Sequence, residues 1–357
     1  MAAACSPNSQ PSSSATPTPT PTLTTATAAT STSPSRPRSV AVSRASRPPT
    51  PNYLGRKPSK LVDTAVVGAA GDIACPSLNP RDWSDEERQS GSYACKYPET
   101  ASLLATLRPD AVLPLGDTQY PSGALPTYRS SYDPTWGRFK AITYPVVGNH
   151  EYGTPNAEGF YTYFGNLLGD ADTGYYSYDL GSWHVVALNS QCEQIGGCQT
   201  GSAEQRWLKA DLAAHPAKCT LAYWHEPRFS SGIHGSNTDF TDFWSTLTAA
   251  GADVVLSGHD HEYERFEPLD ADGKPDAKHG MTEFVVGTGG DSLGQFHGLE
   301  RGSVAQIPRP DPTNPRRYLT PAHYGIIALT LGPNSFSWKF NPIEKMKPLD
   351  SGTTRCH

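Results

Sequence analysis

Residues 111–120 read AVLPLGDTQY, an apolar run of β character that stops at a glycine and is followed by the carboxylate of Asp117. The same order, in which an apolar run meets a tight turn and then a polar residue, recurs along the chain. The polar residues that close these runs are Asp72, Asp117, Asn149, His225 and the pair His259 and His261. A GlyAsp pair or a lone histidine is common in any protein, but this ordered set is hard to produce by chance.

Strand and helix signals alternate from Asp63 onward, which predicts an α/β fold with βαβ units and largely parallel sheet cores. The order fits a four-layer αββα sandwich, in which helices flank two mixed sheets. The predicted strands cover residues 64–70, 111–115, 144–147, 220–224, 254–257, 283–287, 325–331 and 335–340, with a hairpin over 175–189. The predicted helices cover 98–107, 202–214 and 240–250. The stretch 290–321, rich in Gly, Pro and Arg, is predicted to be a long loop at a substrate rim.

Composition divides the chain into three parts. Residues 1–60, dominated by Pro, Ser, Thr and Ala, cannot bury enough apolar surface to fold and are predicted to be a disordered linker. Residues 61–345 form the predicted folded domain, and residues 346–357 a C-terminal tail. Residues 1–62 carry seven of the 29 basic side chains and none of the 35 acidic ones, so the remainder has 22 basic against 35 acidic. This acidic body, near a formal charge of about −13, argues against nucleic-acid binding, which requires a basic surface.

Cysteine usage points to an exported protein. Six cysteines lie in the folded part, and an even number beside a Ser/Thr/Pro-rich stalk suggests disulfides. Fifteen pairings are open. Pairing of sequence neighbours, Cys75 with Cys95 and Cys192 with Cys198, is favoured and leaves Cys219 with Cys356, whereas free buried thiols are the alternative.

Cys5 follows three alanines, an order that resembles the end of a bacterial lipoprotein signal. A lipid on this cysteine would tether the protein to a membrane. Such a signal requires an apolar region upstream, and none precedes Cys5. Either translation starts earlier or the resemblance is accidental. No run in the chain approaches the ~20 apolar residues of a membrane-spanning helix.

The residues at the ends of the apolar runs have the chemistry of metal ligands. In open α/β sheets, ligands gather beyond the carboxyl ends of strands, which lets residues far apart in sequence converge. Carboxylate and amide oxygens together with imidazoles suit Fe, Mn or Zn better than Ca or Mg. The set therefore predicts a site for two metal ions.

These motifs resemble the calcineurin-like metallophosphoesterases, and among them the purple acid phosphatases, over residues 63–345. The run GHDHEYER at 258–265 and VGTGG at 286–290 carry the likeness. The superfamily usually has a histidine two residues after the first aspartate, but here Asp72 is followed by Ile73 and Ala74. Purple acid phosphatases instead use a tyrosine three residues after the second aspartate, and Tyr120 has this position.

The resemblance implies the metallo-dependent phosphatase fold for residues 61–345 and a role for each residue of the site. Fe(III) would bind at a first site and Fe(II), Zn(II) or Mn(II) at a second, and two histidines would face the substrate. The first site would comprise Asp72, Asp117, Tyr120 and His261, the second Asp117, Asn149, His225 and His259, and the catalytic histidines would be His150 and His234. His184, by contrast, is expected to be a structural residue of an apolar strand.

The expected function is hydrolysis of a small phosphate monoester by metal-bound hydroxide. A phosphodiesterase or nucleotide hydrolase with the same site is one alternative, and a catalytically silent surface binding protein is another. Large plant purple acid phosphatases carry a β-sandwich domain before the catalytic body. Because this chain lacks it, a monomer is expected.

Overall fold

The computed structural model describes residues 64–77, 95–168, 173–311 and 313–357. The linker predicted for residues 1–60 and the lipidation predicted at Cys5 lie outside these ranges. Among the described helices, none has the length and apolar character needed to cross a membrane.

The elements alternate much as the sequence predicts. The strands are β1 (Ala65–Ala70), β2 (Ala111–Pro114), β3 (Tyr176–Leu180), β4 (Trp183–Ala187), β5 (Cys219–Tyr223), β6 (Val254–Ser257), β7 (Tyr263–Phe266), β8 (Thr282–Val286), β9 (Ser303–Ile307), β10 (Pro310–Asp311), β11 (Asn314–Tyr318), β12 (Gly325–Gly332), β13 (Ser335–Pro342) and β14 (Asp350–Arg355). The α-helices are α1 (Tyr97–Leu107), α2 (Leu125–Thr127), α3 (Glu158–Phe164), α4 (Cys192–Ile195), α5 (Ala203–Ala214) and α6 (Thr241–Ala249). A π-helical turn (Tyr128–Tyr132) and short 3₁₀ helices (Trp136–Ile142, Glu151–Gly153, Pro155–Ala157, Gly165–Leu168 and Thr238–Phe240) complete the set.

Two mixed sheets form the centre of the described fold, as predicted. One has the strand order β14-β13-β12-β1-β2, with β1 parallel to β2 and antiparallel to β12. The other has the order β3-β4-β5-β6-β8-β7-β9. Its strands β4, β5, β6 and β8 are parallel, and antiparallel strands close both edges. The parallel strands all end on the same side of the sheet, and the loops that follow these carboxyl ends can bring polar residues together.

The side chains of the larger sheet alternate between two apolar cores. In β4, Val185 and Ala187 face the core between the sheets, whereas Val186 faces the core beneath α5 and α6. Trp207 of α5 and Trp244 of α6 fill that outer core. This alternation arises because successive side chains of a strand point to opposite faces, and it confirms the predicted αββα layering.

Helix α1 covers the outer face of the smaller sheet. Leu104 packs over Gly68 of β1 so closely that a Cβ at this glycine would lie 2.3 Å from the leucine Cδ1. Helix α5 begins where the sequence predicts, because the hydroxyl of Ser202 accepts the backbone N–H of Gln205 at 3.2 Å and caps the first turn.

The stretch 290–321 differs from its prediction as a long loop. Strand β9 lies within it and pairs with β7, which would otherwise leave an open sheet edge. Strands β10 and β11 form a further antiparallel pair. The predicted strand at 144–147 is also reduced to isolated bridges, such as Leu115 with Val146. The predicted C-terminal tail, residues 346–357, contains β14, which pairs with β13 at the edge of the smaller sheet.

The described cysteines form the three disulfides that pairing of sequence neighbours favours. These are Cys75–Cys95, Cys192–Cys198 and Cys219–Cys356. The third joins the start of β5 to the residue after β14, and so connects the two sheets.

We predict that removing Cys219–Cys356 costs more stability than removing Cys192–Cys198. The first closes a separation of 137 residues and the second one of 6, and the entropy removed from the unfolded chain grows with loop length. The double variant Cys219→Ala/Cys356→Ala should lose about 2–4 kcal/mol, with Cys192→Ala/Cys198→Ala as the matched comparison. Denaturant unfolding of both measures the difference, and equal losses would contradict it.

Candidate metal centre

Four of the ligand candidates lie beyond the carboxyl ends of strands, two in each sheet. Asp72 follows β1, Asp117 follows β2, His225 follows β5 and His259 follows β6. Asp72, Asp117 and His259 have positive φ angles of 61°, 45° and 70°. This left-handed conformation costs a residue with a side chain of order 1 kcal/mol or more and is typical of functional sites.

One half of the cluster surrounds the hydroxyl of Tyr120. This oxygen lies 2.9 Å from Asp72 Oδ1, 3.2 Å from Asp117 Oδ2 and 3.0 Å from His261 Nε2. His261 Nε2 is itself 3.2 Å from Asp72 Oδ1. The structure thus brings together the four residues that the sequence assigned to the first metal.

The other half surrounds the imidazole of His225. Its Nε2 lies 3.1 Å from Asp117 Oδ2, 3.0 Å from Asn149 Oδ1 and 3.2 Å from His259 Nδ1. Its Nδ1 lies 2.8 Å from the Leu115 carbonyl, which can only accept, so Nδ1 carries the proton and Nε2 can serve as a ligand. Asp117 touches both halves and therefore occupies the position of a bridging carboxylate.

The donor chemistry of the cluster fits two borderline metal ions. Carboxylate and amide oxygens, a phenol and imidazole nitrogens converge from buried and half-buried side chains, a set that iron, manganese and zinc bind well. Glycines make room for this convergence. A Cβ at Gly148 would lie 2.2 Å from Asp117 Oδ1, and one at Gly116 would lie 2.5 Å from His225 Nδ1.

Opposite charges in the cluster favour the ionised forms of Asp72 and His225. Burial alone would raise the pKa of Asp72, but His261 and His225 outweigh it and hold that pKa below its usual value. Burial opposes a charge on His225 too, yet Asp117 raises its pKa to about 10. In His259, burial and the neighbouring His225 lower the pKa to about 3. The carboxylates are therefore ionised, as metal ligands must be, whereas His225 would release its Nε2 proton when an ion binds.

The two histidines predicted to face the substrate lie at the rim of the cluster. His150 Nδ1 is 2.8 Å from the Pro121 carbonyl, its Nε2 is 3.9 Å from Asp117 Oδ2, and its side chain is 38% exposed. The ring of His234 lies 4.2 Å from that of His259, measured between centroids. Both imidazoles thus approach the ligands from the solvent side.

Glu151 has a role that the sequence did not reveal. Its buried carboxylate accepts the backbone N–H groups of Asp117 at 3.0 Å, Thr118 at 2.8 Å and Gly148 at 2.7 Å. It therefore joins the loop that carries Asp117 to the loop that carries Asn149. Its place beside His150 was the signal available in the sequence.

A second group of supporting residues comes from the stretch after β8. His261 Nδ1 lies 2.6 Å from the hydroxyl of Ser292, which donates to Asp291 Oδ2 at 3.0 Å. These contacts orient the ring so that Nε2 faces Asp72, as groups behind a metal ligand commonly do. The sequence predicts that the stretch 290–321 forms part of the rim, but no motif singles out Asp291 or Ser292.

Comparison with known proteins gives matches both in sequence and in fold. The family model described as "Calcineurin-like phosphoesterase" matches residues 67–263. Purple acid phosphatase 15 of Arabidopsis thaliana is 31% identical over 205 residues, which cover 47% of this chain and 38% of that protein. Purple acid phosphatase 22 of the same plant is 28% identical over 201 residues, which cover 47% and 43%. The matched part is thus less than half the length of these relatives.

The fold also has a counterpart among solved structures. A purple acid phosphatase from yellow lupin (Lupinus luteus) seeds superimposes with a TM-score of 0.61 at 16% identity. The superposition covers 84% of this chain and 55% of that one. At this identity the likeness concerns the fold.

We predict that Glu151→Gln weakens Zn²⁺ binding about 10–100-fold, the usual effect of changing a residue that orients a metal ligand. The amide NH₂ of glutamine would face the backbone N–H groups that the carboxylate now accepts, so the two loops would separate. Competition with a chelating dye measures the affinity. Glu204→Gln is the matched control, because Glu204 is equally buried and accepts the N–H of Asn189 at 2.7 Å. Equal affinities in the two folded variants would refute the role of Glu151.

Proposed function

We propose that this chain, which belongs to the calcineurin-like phosphoesterase family, hydrolyses phosphate monoesters at a centre of two metal ions. The observation that carries the proposal is the position of Asp117. Its Oδ2 lies within 3.2 Å of both the Tyr120 hydroxyl and His225 Nε2, so one carboxylate serves two ligand groups. The purple acid phosphatases among its relatives support the choice of substrate class.

The proposed first ion is held by Asp72, Asp117, Tyr120 and His261, and the second by Asp117, Asn149, His225 and His259. The short contacts within each group support this division. When bound, two such ions supply a hydroxide nucleophile near neutral pH and stabilise the entering and leaving oxygens of an in-line displacement.

The chain's own contribution is to position groups around the phosphate and to move a proton. His150 donates Nδ1–H to the Pro121 carbonyl, which leaves Nε2 directed at the cluster. In its protonated form, His150 would pass the Nε2 proton to the leaving alkoxide. His234 approaches from the side of His259 and would take the same role or hold a phosphate oxygen. Such proton transfer is worth typically 10²–10⁴ in rate.

Tyr120 supports Fe(III) as the first ion. Burial, together with Asp72 and Asp117, raises the pKa of this phenol well above its usual value. A phenolate can therefore form there only beside a strongly Lewis-acidic ion, and a trivalent one suits it best. Fe(II), Zn(II) or Mn(II) is proposed for the second site.

We predict that the purified holoprotein is coloured by charge transfer from the Tyr120 phenolate to iron. The variant Tyr120→Phe should lose the visible absorption band. Its iron content is measured in parallel. Tyr152→Phe is the control, because its hydroxyl accepts a hydrogen bond from Asn189 and has no contact with the ligand cluster among the described residues. A colourless, iron-free and fully active protein would contradict the assignment.

The substrate class is tested by comparing p-nitrophenyl phosphate with its bis-ester. We expect kcat/KM to favour the monoester and His225→Ala to abolish turnover of both. A large preference for the diester would instead identify a phosphodiesterase. Absence of turnover with iron, zinc and manganese would identify a binding protein without catalytic activity.

Export is the proposed location. The three described disulfides support it, because such bonds persist mainly in oxidising compartments. A small phosphate ester is the proposed partner, and a monomer the proposed state.

A further inference from the structure

A second cluster of metal-ligating side chains lies far along the sheet from the metal centre. His184 is the second residue of β4, and Asp211 and His215 lie one turn apart at the carboxyl end of α5. Because β4 runs parallel to β5 and β6, His184 is near the amino ends of these strands. His225 and His259 of the metal centre follow the carboxyl ends of β5 and β6, so the two clusters lie at opposite ends of the strands of this sheet.

The geometry of this cluster is close to that of a metal site. His184 Nε2 is 2.9 Å from Asp211 Oδ2, and His215 Nδ1 is 3.1 Å from Asp211 Oδ1. One ligand atom from each residue lies within 4.8 Å of the other two. Ligand atoms of a tetrahedral zinc site are about 3.3 Å apart, given bonds of about 2.0–2.1 Å. Small side-chain movements would therefore admit an ion.

Neighbouring side chains orient His184 and Asp211 in the way that such groups orient the ligands of bound metals. Asp179, paired with His184 across the β3–β4 hairpin, has its Oδ1 3.1 Å from His184 Nδ1. That carboxylate fixes the proton on Nδ1, as carboxylates do behind many zinc-bound histidines, while Nε2 donates its own proton to Asp211 and would give it up to an entering ion. Ser177, which lies in β3 with Asp179, donates its hydroxyl to Asp211 Oδ1 at 2.7 Å.

An ion could reach the cluster from solvent. The side chains of His184 and Asp211 are fully buried, whereas that of His215 is 24% exposed. His215 also lines a cavity of about 590 Å³ between α5 and α6. Two imidazoles and one carboxylate form a donor set that zinc binds with a fourth position left for water.

A plain ion pair accounts for only part of this arrangement. It explains why His184 lies between two carboxylates, but not why a second imidazole shares Asp211. The rings of His184 and His215 are stacked, with centroids 5.1 Å apart and an angle of 16° between them. An ion would replace the hydrogen bonds that His184 Nε2 and His215 Nδ1 now make to Asp211, including the contact of 3.0 Å between His215 Nδ1 and the Asp211 carbonyl.

We propose that His184, Asp211 and His215 form a third metal site, which binds Zn²⁺ and fastens the β3–β4 hairpin to the carboxyl end of α5. The site is separate from the catalytic ligands, so it does not depend on the proposed function. Because the described contacts link it to the hairpin and the helix, a bound ion would stabilise the junction of these two elements.

The experiment counts zinc equivalents in the folded, metal-loaded protein by calorimetric titration and elemental analysis after dialysis. We expect one equivalent beyond those of the catalytic centre. His215→Ala, chosen because this residue is the most exposed of the three, should lose that equivalent and the accompanying rise in Tm. His279→Ala is the matched control, because His279 is exposed and contacts only Asp276 among the described side chains.

The catalytic ligands provide the second comparison. His225→Ala disrupts the catalytic centre and should retain the zinc equivalent that depends on His215. Failure of the phosphatase proposal would therefore leave this count unchanged. The third site is refuted if wild-type protein binds no extra zinc, or if His215→Ala binds as much zinc as His279→Ala.

Discussion

The carboxylate of Glu151 is the interaction on which the geometry of the metal centre depends. It is buried, and it accepts backbone N–H groups from the loops after β2 and before the 3₁₀ turn at Glu151–Gly153. A buried carboxylate left without donors would cost several kcal/mol, so these loops cannot separate without a large penalty. The loops that carry Asp117 and Asn149 are consequently joined through one carboxylate.

Other loops around the centre are held in the same way. Asp72 Oδ2 accepts the N–H of His259 at 2.8 Å, and Asp260 Oδ1 accepts that of His234 at 3.0 Å. Glu283 accepts the N–H groups of Arg228 and Phe229 just beyond His225. These contacts offset the strain of the left-handed ligand residues. They also give part of the acidic composition a structural reason, since acidic side chains act inside the protein as acceptors for loop backbone.

The buried carboxyls influence how stability depends on pH. Burial raises the pKa of Glu283 to about 8 and that of Glu264 to about 7, compared with 4.5 for an unperturbed glutamate. The folded state therefore holds these protons more tightly than the unfolded state. Their stabilising contribution is complete below pH 4.5 and is lost as pH rises through 7 to 8.

Local patterns in the sequence predict where most strands end and which polar side chains follow them. Asp72, Asp117, His225 and His259 could be identified because strand periodicity is local and parallel strands present their carboxyl ends together. Which groups support these ligands depends on long-range packing. Glu151, Ser292 and Asp179 act through contacts that no short pattern encodes. The sequence around β9 is rich in turn residues and does not predict a strand, and β9 forms because it pairs with the otherwise open edge of β7. His184 and His215 lie 31 positions apart in the numbering, and only the packing of α5 on its sheet places both imidazoles on one carboxylate.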